Sequence, residues 1–223
     1  CVVAAVFAAG SGKPTESKTP ASGRGGYSVV DATKTRIDFT YKPQRIVSLG
    51  LSADEVLLDM VEPERIAALT YLADDAGISP AAAKAERVKG RVQSGSLESV
   101  LAQQPDLVLV PDWTDLNFVE LLRGAKVPVY VYKTPTTVKE IKQTICELAN
   151  VVDERVAGGK IVAKMEKELA FVQARVGNMP AEECISVMAL SYMGPFGARG
   201  TTFADICNYA NVRNVVAEYD LSP

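Results

Sequence analysis

The chain has 223 residues, 48% of them hydrophobic and 23% charged, with 24 basic against 27 acidic residues and a net charge of −3. That balance suits a soluble globular protein of one large or two small domains, and without a basic stripe it argues against nucleic acid or an anionic membrane as a partner. There is no histidine, and Cys1, Cys146, Cys184 and Cys207 stand far apart; the commonest general base and metal ligand, every Ser-His-Asp or Cys-His arrangement, and any CxxC-type zinc or disulfide framework are thereby removed.

In chain order, Val2 to Gly10 is an apolar or small-residue run, too short to span a bilayer but of the size of the tail of an export signal. Its end, Phe7-Ala8-Ala9-Gly10-Ser11, is similar to a bacterial lipobox with serine in the place of the lipid-bearing cysteine, and Cys1 is the alternative lipid site. A residual export signal is the simpler reading. Gly12 to Gly26, rich in Lys, Ser, Thr, Pro and Gly, reads as a flexible tether. An exported, tethered protein follows.

Short β-rich runs then alternate with helical stretches. The predicted strands are Ile37–Thr40, Arg45–Leu49, Ile66–Leu69, Leu107–Val110, Val127–Tyr132 and Cys184–Leu190, with helices near Ser52–Met60, Ser96–Gln103, Leu116–Arg123 and Val138–Asn150. Continuous Val/Ile/Leu strands, each followed by a helix, predict a parallel sheet covered on both faces. Residues 153–177 break the rhythm: Val162, Met165, Leu169, Val172 and Val176 recur at helical spacing. A helix of that length spans about 35 Å at ~1.5 Å per residue, with Gly158-Gly159 weakening its first third and Gly177 to Pro180 ending it. One more strand and a helix over Thr202–Ala210 open a second α/β lobe, and a single strand and helix cannot bury both faces of a sheet. The second lobe is therefore expected to be incomplete, or the chain a fragment.

The strand–helix junctions carry the chemical questions. In Ser48-Leu49-Gly50-Leu51-Ser52-Ala53-Asp54-Glu55 a strand ends at a glycine and a helix starts at Ser52. The second glycine of a G-x-S-x-G elbow is missing and no histidine exists to activate Ser52, so a nucleophile is excluded. Gly10-x-Gly12-Lys13 lacks the first glycine of a P-loop, and Pro14 replaces its Ser or Thr, so phosphate binding is excluded too. Ser52-x-x-Glu55 has capping-box spacing, in which the serine accepts from the Glu55 N–H and the carboxylate reaches back. The other junctions are strand exits, where open α/β sheets bind ligands. Tyr71, Trp113, Tyr132 with Thr134, and Tyr192 with Phe196 directly follow predicted strands, while Asp74-Asp75 reads as a solvated turn.

The order of lobe, long helix and lobe resembles the helical-backbone class of bacterial solute-binding proteins that serve ABC importers of iron-siderophores, haem and cobalamin. Tyr41-Lys42-Pro43-Gln44-Arg45-Ile46-Val47-Ser48-Leu49 is similar to the family's Pro-x-Arg-Ile-Val-Ser-Leu opening strand, and Ser52 to Glu55 to its Ser-x-x-Glu helix start. Ser96-Leu97-Glu98 with Gln104-Pro105-Asp106-Leu107-Val108-Leu109, and Gly200-Thr201-Thr202-Phe203-Ala204-Asp205-Ile206, match two further segments. The resemblance covers roughly residues 35–217, with one departure: Ala210-Asn211 stands where the family has a Gly-Gly turn.

The resemblance implies two Rossmann-like α/β lobes with parallel sheets joined by one long helix, the second truncated. Residues 1–26 form the signal remnant and linker, 27–152 the N-terminal lobe, 153–178 the connecting helix and 179–223 the partial C-terminal lobe. It implies a monomeric, extracytoplasmic binding protein, not an enzyme, with neither cofactor nor resident metal, that captures a pre-chelated metal complex and delivers it to an ABC permease, where a separate subunit handles ATP. The ligand would meet Gly50, Leu51, Tyr71, Trp113, Tyr132, Tyr192, Phe196 and Arg199. Glu55 and Asp205, on the rims of the two lobes, would dock onto permease arginines, so Glu55 stays divided between cap and docking. Without histidine, axial haem ligation would fall to Tyr71, Tyr192, a methionine or a cysteine, which ranks haem below siderophore and cobalamin. The alternative is a two-lobed metal-cofactor or chelatase-like enzyme of similar architecture.

Overall fold

The computed structural model describes residues 26–93 and 95–219. The signal remnant, most of the linker and Cys1 lie outside the described residues. The chain enters through an antiparallel hairpin of β1 (Tyr27–Val30) and β2 (Arg36–Phe39), with the Tyr27 and Phe39 rings stacked at 4.9 Å. Then follow β3 (Ile46–Ser48), α1 (Leu51–Met60), β4 (Ile66–Thr70), a short α2 (Ala82–Ala85), β5 (Arg91–Val92), α3 (Leu97–Leu101), β6 (Leu107–Pro111), α4 (Leu116–Gly124), β7 (Val129–Tyr132) and α5 (Val138–Val151).

Five of these strands form one parallel sheet in the order β5-β4-β3-β6-β7. Their alternating residues feed two cores. Leu107, Leu109, Tyr130 and Tyr132 face α1, α5 and the hairpin; Val108, Val110, Val129 and Val131 face the side of α3 and α4. Burial on both faces is why the strands read as unbroken apolar runs. The strand order reverses between β3 and β6, and the exits of strands at such a reversal are where open α/β sheets bind ligands. The free edge of β7 is covered by the hairpin: Ala32 N–H donates to the Val131 carbonyl at 2.9 Å, and the buried Asp31 accepts from Arg123 at 2.6 Å. Unpaired edges invite association, and this one is largely closed.

Two of the segments behind the resemblance serve the scaffold. The Asp106 carboxylate accepts the Gln44 and Arg45 N–H groups at 2.7 and 2.8 Å, joining the opening-strand motif to the Gln-Pro-Asp motif. Ser96 caps α3 by accepting from Ser99 N–H at 3.2 Å.

The long helix, α6, runs Arg155–Val176, close to the predicted 153–177. Its root is clamped by Arg65, which donates to Glu154 at 2.5 Å and to the Pro43 and Val152 carbonyls at 2.8 and 2.7 Å. Gly158, expected from sequence only as a weak point of the helix, has a packing role. It is the one buried residue of α6, and a Cβ there would stand 2.4 Å from that of Ala149, so it is what lets α5 and α6 approach.

The second lobe consists of β8 (Ser186–Val187), β9 (Ala189–Ser191), β10 (Gly194–Phe196), α7 (Thr202–Ala210), β11 (Arg213–Asn214) and α8 (Val215–Tyr219). The predicted strand Cys184–Leu190 is thus divided: β8 pairs in parallel with β11, and β9 makes a hairpin with β10. Thr201 caps α7, accepting from Ala204 N–H at 3.3 Å. Asn211 takes the left-handed conformation at φ 51°, so the turn survives without the Gly-Gly pair. Among the described residues after α6, Cys207 and Val216 are the buried hydrophobics, while Ile185, Leu190, Tyr192 and Ile206 are half or more exposed. Among the described residues this lobe closes no core of its own. No helix among the described residues is long and apolar enough to cross a membrane.

Candidate functional site: the strand exits at the switch point

α1 begins one residue earlier than predicted. Gly50 is its N-cap, in extended conformation, and Ser52 lies inside the first turn. The capping box therefore does not form. The Ser52 hydroxyl meets the Tyr132 hydroxyl at 3.1 Å, and the Glu55 carboxylate accepts from Ser79 at 3.0 Å. Gly50 is needed for packing: a Cβ there would come within 2.2 Å of the Tyr132 oxygen and 3.3 Å of Pro111.

Tyr132 itself is only 1% exposed. Burial pushes its hydroxyl up to about 12, so it stays protonated. Its ring belongs to the core and cannot present a face to a ligand, which corrects its expected role. It supports the rim through Ser52. Gly50 is likewise buried, and Leu51 is half-buried against the core.

The open aromatics are Trp113 after β6, 67% exposed, and Tyr71 after β4, 59% exposed. Tyr71 opens a 3-10 turn, Tyr71–Asp74, that leaves β4 directly. The loops beyond β6 and β7 are joined where Asp112 accepts the Thr134 N–H and hydroxyl at 3.1 and 2.7 Å. Asp74 is not merely solvated: Arg91 grips both its oxygens and holds its carboxyl below the usual carboxylate range. Asp75 accepts from Gly77 N–H at 2.8 Å in a local turn.

From the second lobe, Tyr192 stands at the β9–β10 turn, 98% exposed, and Phe196 is half-exposed with its ring 6.3 Å from that of Phe203. Arg199 is exposed and makes no ion pair among the described residues. The two lobes meet through α7. Val138 N–H donates to Asp205 at 2.7 Å, and the Thr202 hydroxyl donates to the Pro135 carbonyl at 3.2 Å.

A cavity of about 580 Å³ lies elsewhere, between the β1–β2 hairpin, β7 and α5, lined by Val30, Tyr130, Lys133, Glu140 and Thr144 among others. None of the predicted ligand residues lines it. Among the described residues no group of three or more carboxylates and thiols is placed to hold a metal ion.

The residue missed by sequence reading is Asp54. It is fully buried at the start of α1 and bonds Thr70, the last residue of β4. Its signal was present: Ala53, Leu57 and Met60 mark the buried stripe of α1, and Asp54 shares that side.

A family model described as periplasmic binding protein matches residues 46–222. A cobalamin-binding protein of Halobacterium salinarum is 24% identical over 147 residues, 64% of this chain and 38% of that protein. A vitamin B12-binding protein of Vibrio parahaemolyticus is 28% identical over 133 residues, 59% of this chain and 46% of that one. The matched region thus spans less than half the length of these curated relatives. Among solved structures, the molybdate periplasmic binding protein MolA of a Haemophilus influenzae ABC transporter aligns with a TM-score of 0.72 at 18% identity, covering 86% of this chain and 66% of that one. At that identity the likeness speaks to the fold.

Proposed function

The chain belongs to the periplasmic binding protein family, and from that premise we propose that it captures a metal chelate of the cobalamin or iron-siderophore type between its lobes and passes it to an ABC import permease. Membership of the family implies an extracytoplasmic location; tethering through residues 12–26 belongs to the proposal. The observation that carries it is the pair of exposed aromatic side chains at strand exits beside the strand-order reversal. There the exit of β3 brings Gly50 and Leu51, the exit of β6 the exposed Trp113, and the neighbouring exit of β4 the exposed Tyr71.

Flat, partly apolar chelates suit such a wall, because open aromatic faces gain from stacking and area burial together. Tyr192, Phe196 and Arg199 supply the opposing wall, with Arg199 the charge for a carboxylate-bearing chelate. Tyr132 serves from beneath. The two cobalamin-binding relatives point to a corrin as the first candidate. Glu55 is the docking carboxylate of the first lobe. One of its oxygens is taken by Ser79, and the group is half-buried, which holds it in a fixed stance. Asp205 is its counterpart, with one oxygen already spent on the Val138 N–H. Paired carboxylates at fixed separation orient an encounter by charge complementarity.

The test is a titration of the complete protein with cyanocobalamin, haem and ferric siderophores, followed by fluorescence of Trp113, the sole tryptophan. Saturable quenching by one chelate class supports the proposal, and no response to any of them rejects it. Glu55→Ala should abolish uptake while leaving that titration unchanged.

A further inference from the structure

The three carboxylates of α1 have different surroundings. Asp59 pairs with Lys84 at the surface, and Glu55 meets Ser79 at the rim. Asp54 points inward, with no exposure. Its Oδ2 accepts both the N–H of Thr70 at 3.1 Å and the Thr70 hydroxyl at 2.5 Å. Its Oδ1 has no well-aligned hydrogen bond among the described residues; the nearby Ser48 hydroxyl donates to the Gly50 carbonyl at 3.2 Å and still helps to hold the carboxyl down. No ion pair offsets the burial among the described residues. A lone buried carboxylate is a costly way to fill a core. Its one evident effect is to fix Thr70, which ends β4, pairs with Val92 of β5 and leads without a break into Tyr71.

We infer that Asp54 is a positioning residue for the proposed chelate cleft, holding Thr70 so that the chain leaves β4 at the angle that stands Tyr71 on the rim. The inference rests on the chelate reading for its ligand, though not for its geometry. The groups facing the carboxyl are the Thr70 and Ser48 hydroxyls, Tyr132 of β7 and, at longer range, Arg91 of β5. Burial raises the Asp54 carboxyl to about 6 against the pull of those hydroxyls and Arg91. An ionised carboxylate grips donors more strongly than a neutral acid does, so the hold on Thr70 is firmer at neutral than at acid pH.

The complete protein should be compared with Asp54→Asn, Asp54→Ala and Thr70→Val by amide hydrogen exchange without ligand, and by cyanocobalamin and ferric-siderophore affinity from about pH 5 to about pH 7.5. Asp54→Asn keeps an acceptor for Thr70: protection and affinity at neutral pH should stay within about threefold of wild type, with the pH dependence gone. Asp54→Ala should speed exchange at Thr70 and Tyr71 and weaken affinity, each by about tenfold. Thr70→Val, which leaves the Thr70 backbone bond to Asp54 in place, should fall between them and decides the matter if the alanine variant does not fold. Wild-type exchange at position 70, or wild-type affinity, in each of Asp54→Ala and Thr70→Val that folds overturns the inference. A wild-type protein that binds no chelate overturns the functional reading instead, while the exchange data still decide whether Asp54 sets the β4 exit.

Discussion

The Asp205 carboxylate, on the first turn of α7, accepts a 2.7 Å hydrogen bond from the backbone N–H of Val138 at the start of α5. One side chain of the second lobe thus caps a helix of the first. With Thr202 bonding the Pro135 carbonyl, it forms a polar latch beside the packing of α7 on α6. Carboxylates at helix N-termini gain from both the hydrogen bond and the helix dipole. Asp205→Ala should cost about 1 kcal/mol and speed amide exchange at Val138, with Asp205→Asn intermediate. Unchanged exchange at Val138 in the alanine variant would show that the lobes are held by other contacts.

Gly50→Ala should destabilise the protein by about 1–3 kcal/mol, since the new methyl meets the Tyr132 hydroxyl, whose ring is locked in the core. Removing that oxygen in the double variant Gly50→Ala/Tyr132→Phe should recover much of the loss. Thermal melts of the two single variants and the double variant measure the coupling directly. Strict additivity would mean that the two groups do not collide.

The Arg65 clamp predicts an ordering. Arg65→Ala removes donors to Pro43, Val152 and Glu154 at once, leaving two buried carbonyls and a carboxylate short of partners, at a cost of about 3 kcal/mol or more. Glu154→Gln should cost less, because the amide oxygen can still accept from Arg65 and Lys42 remains nearby. Denaturant melts that placed the two variants level would contradict this.

The Asp54 carboxyl gives stability a definite pH slope. Its folded value of about 6 lies above the ordinary 3.8, so between those two points the native state holds the proton more tightly than the unfolded chain does. This group's contribution is therefore full below about pH 4 and is lost as the pH rises through about 6, by up to about 3 kcal/mol. Asp54→Asn should flatten that stretch of the stability profile. If both proteins show the same slope, the carboxyl titrates normally.

The strands and the long helix were legible because their signals are local. A strand buried on both faces is a run of Val, Ile and Leu, and α6 repeats its apolar residues at helical spacing. β5, two residues long, and β1, which begins beside the linker with Tyr27 and Ser28, carry no such signal. The candidate site was only partly legible, since its decisive partners are distant in sequence. Ser52 and Glu55 have capping-box spacing, yet a helix starting at Leu51 gives the cap to Gly50 and frees both side chains for Tyr132 and Ser79. Tyr132 follows its strand as Trp113 does. The difference is that its ring points into the core beneath Gly50, which only the packing of β7 on α1 decides. Asp54 went unread because its reason is Thr70, 16 residues away at the end of the next strand.

The central claim is that chelates bind at the exits of β4 and β6. It is tested most directly by calorimetric titration of the wild-type protein and of Trp113→Ala and Tyr71→Ala with whichever chelate class the wild type binds. Both side chains are largely exposed, so neither truncation should move the melting temperature appreciably. The account predicts a loss of affinity of about tenfold or more in each variant, as expected for removing an aromatic stacking face. Wild-type affinity in both variants would contradict it.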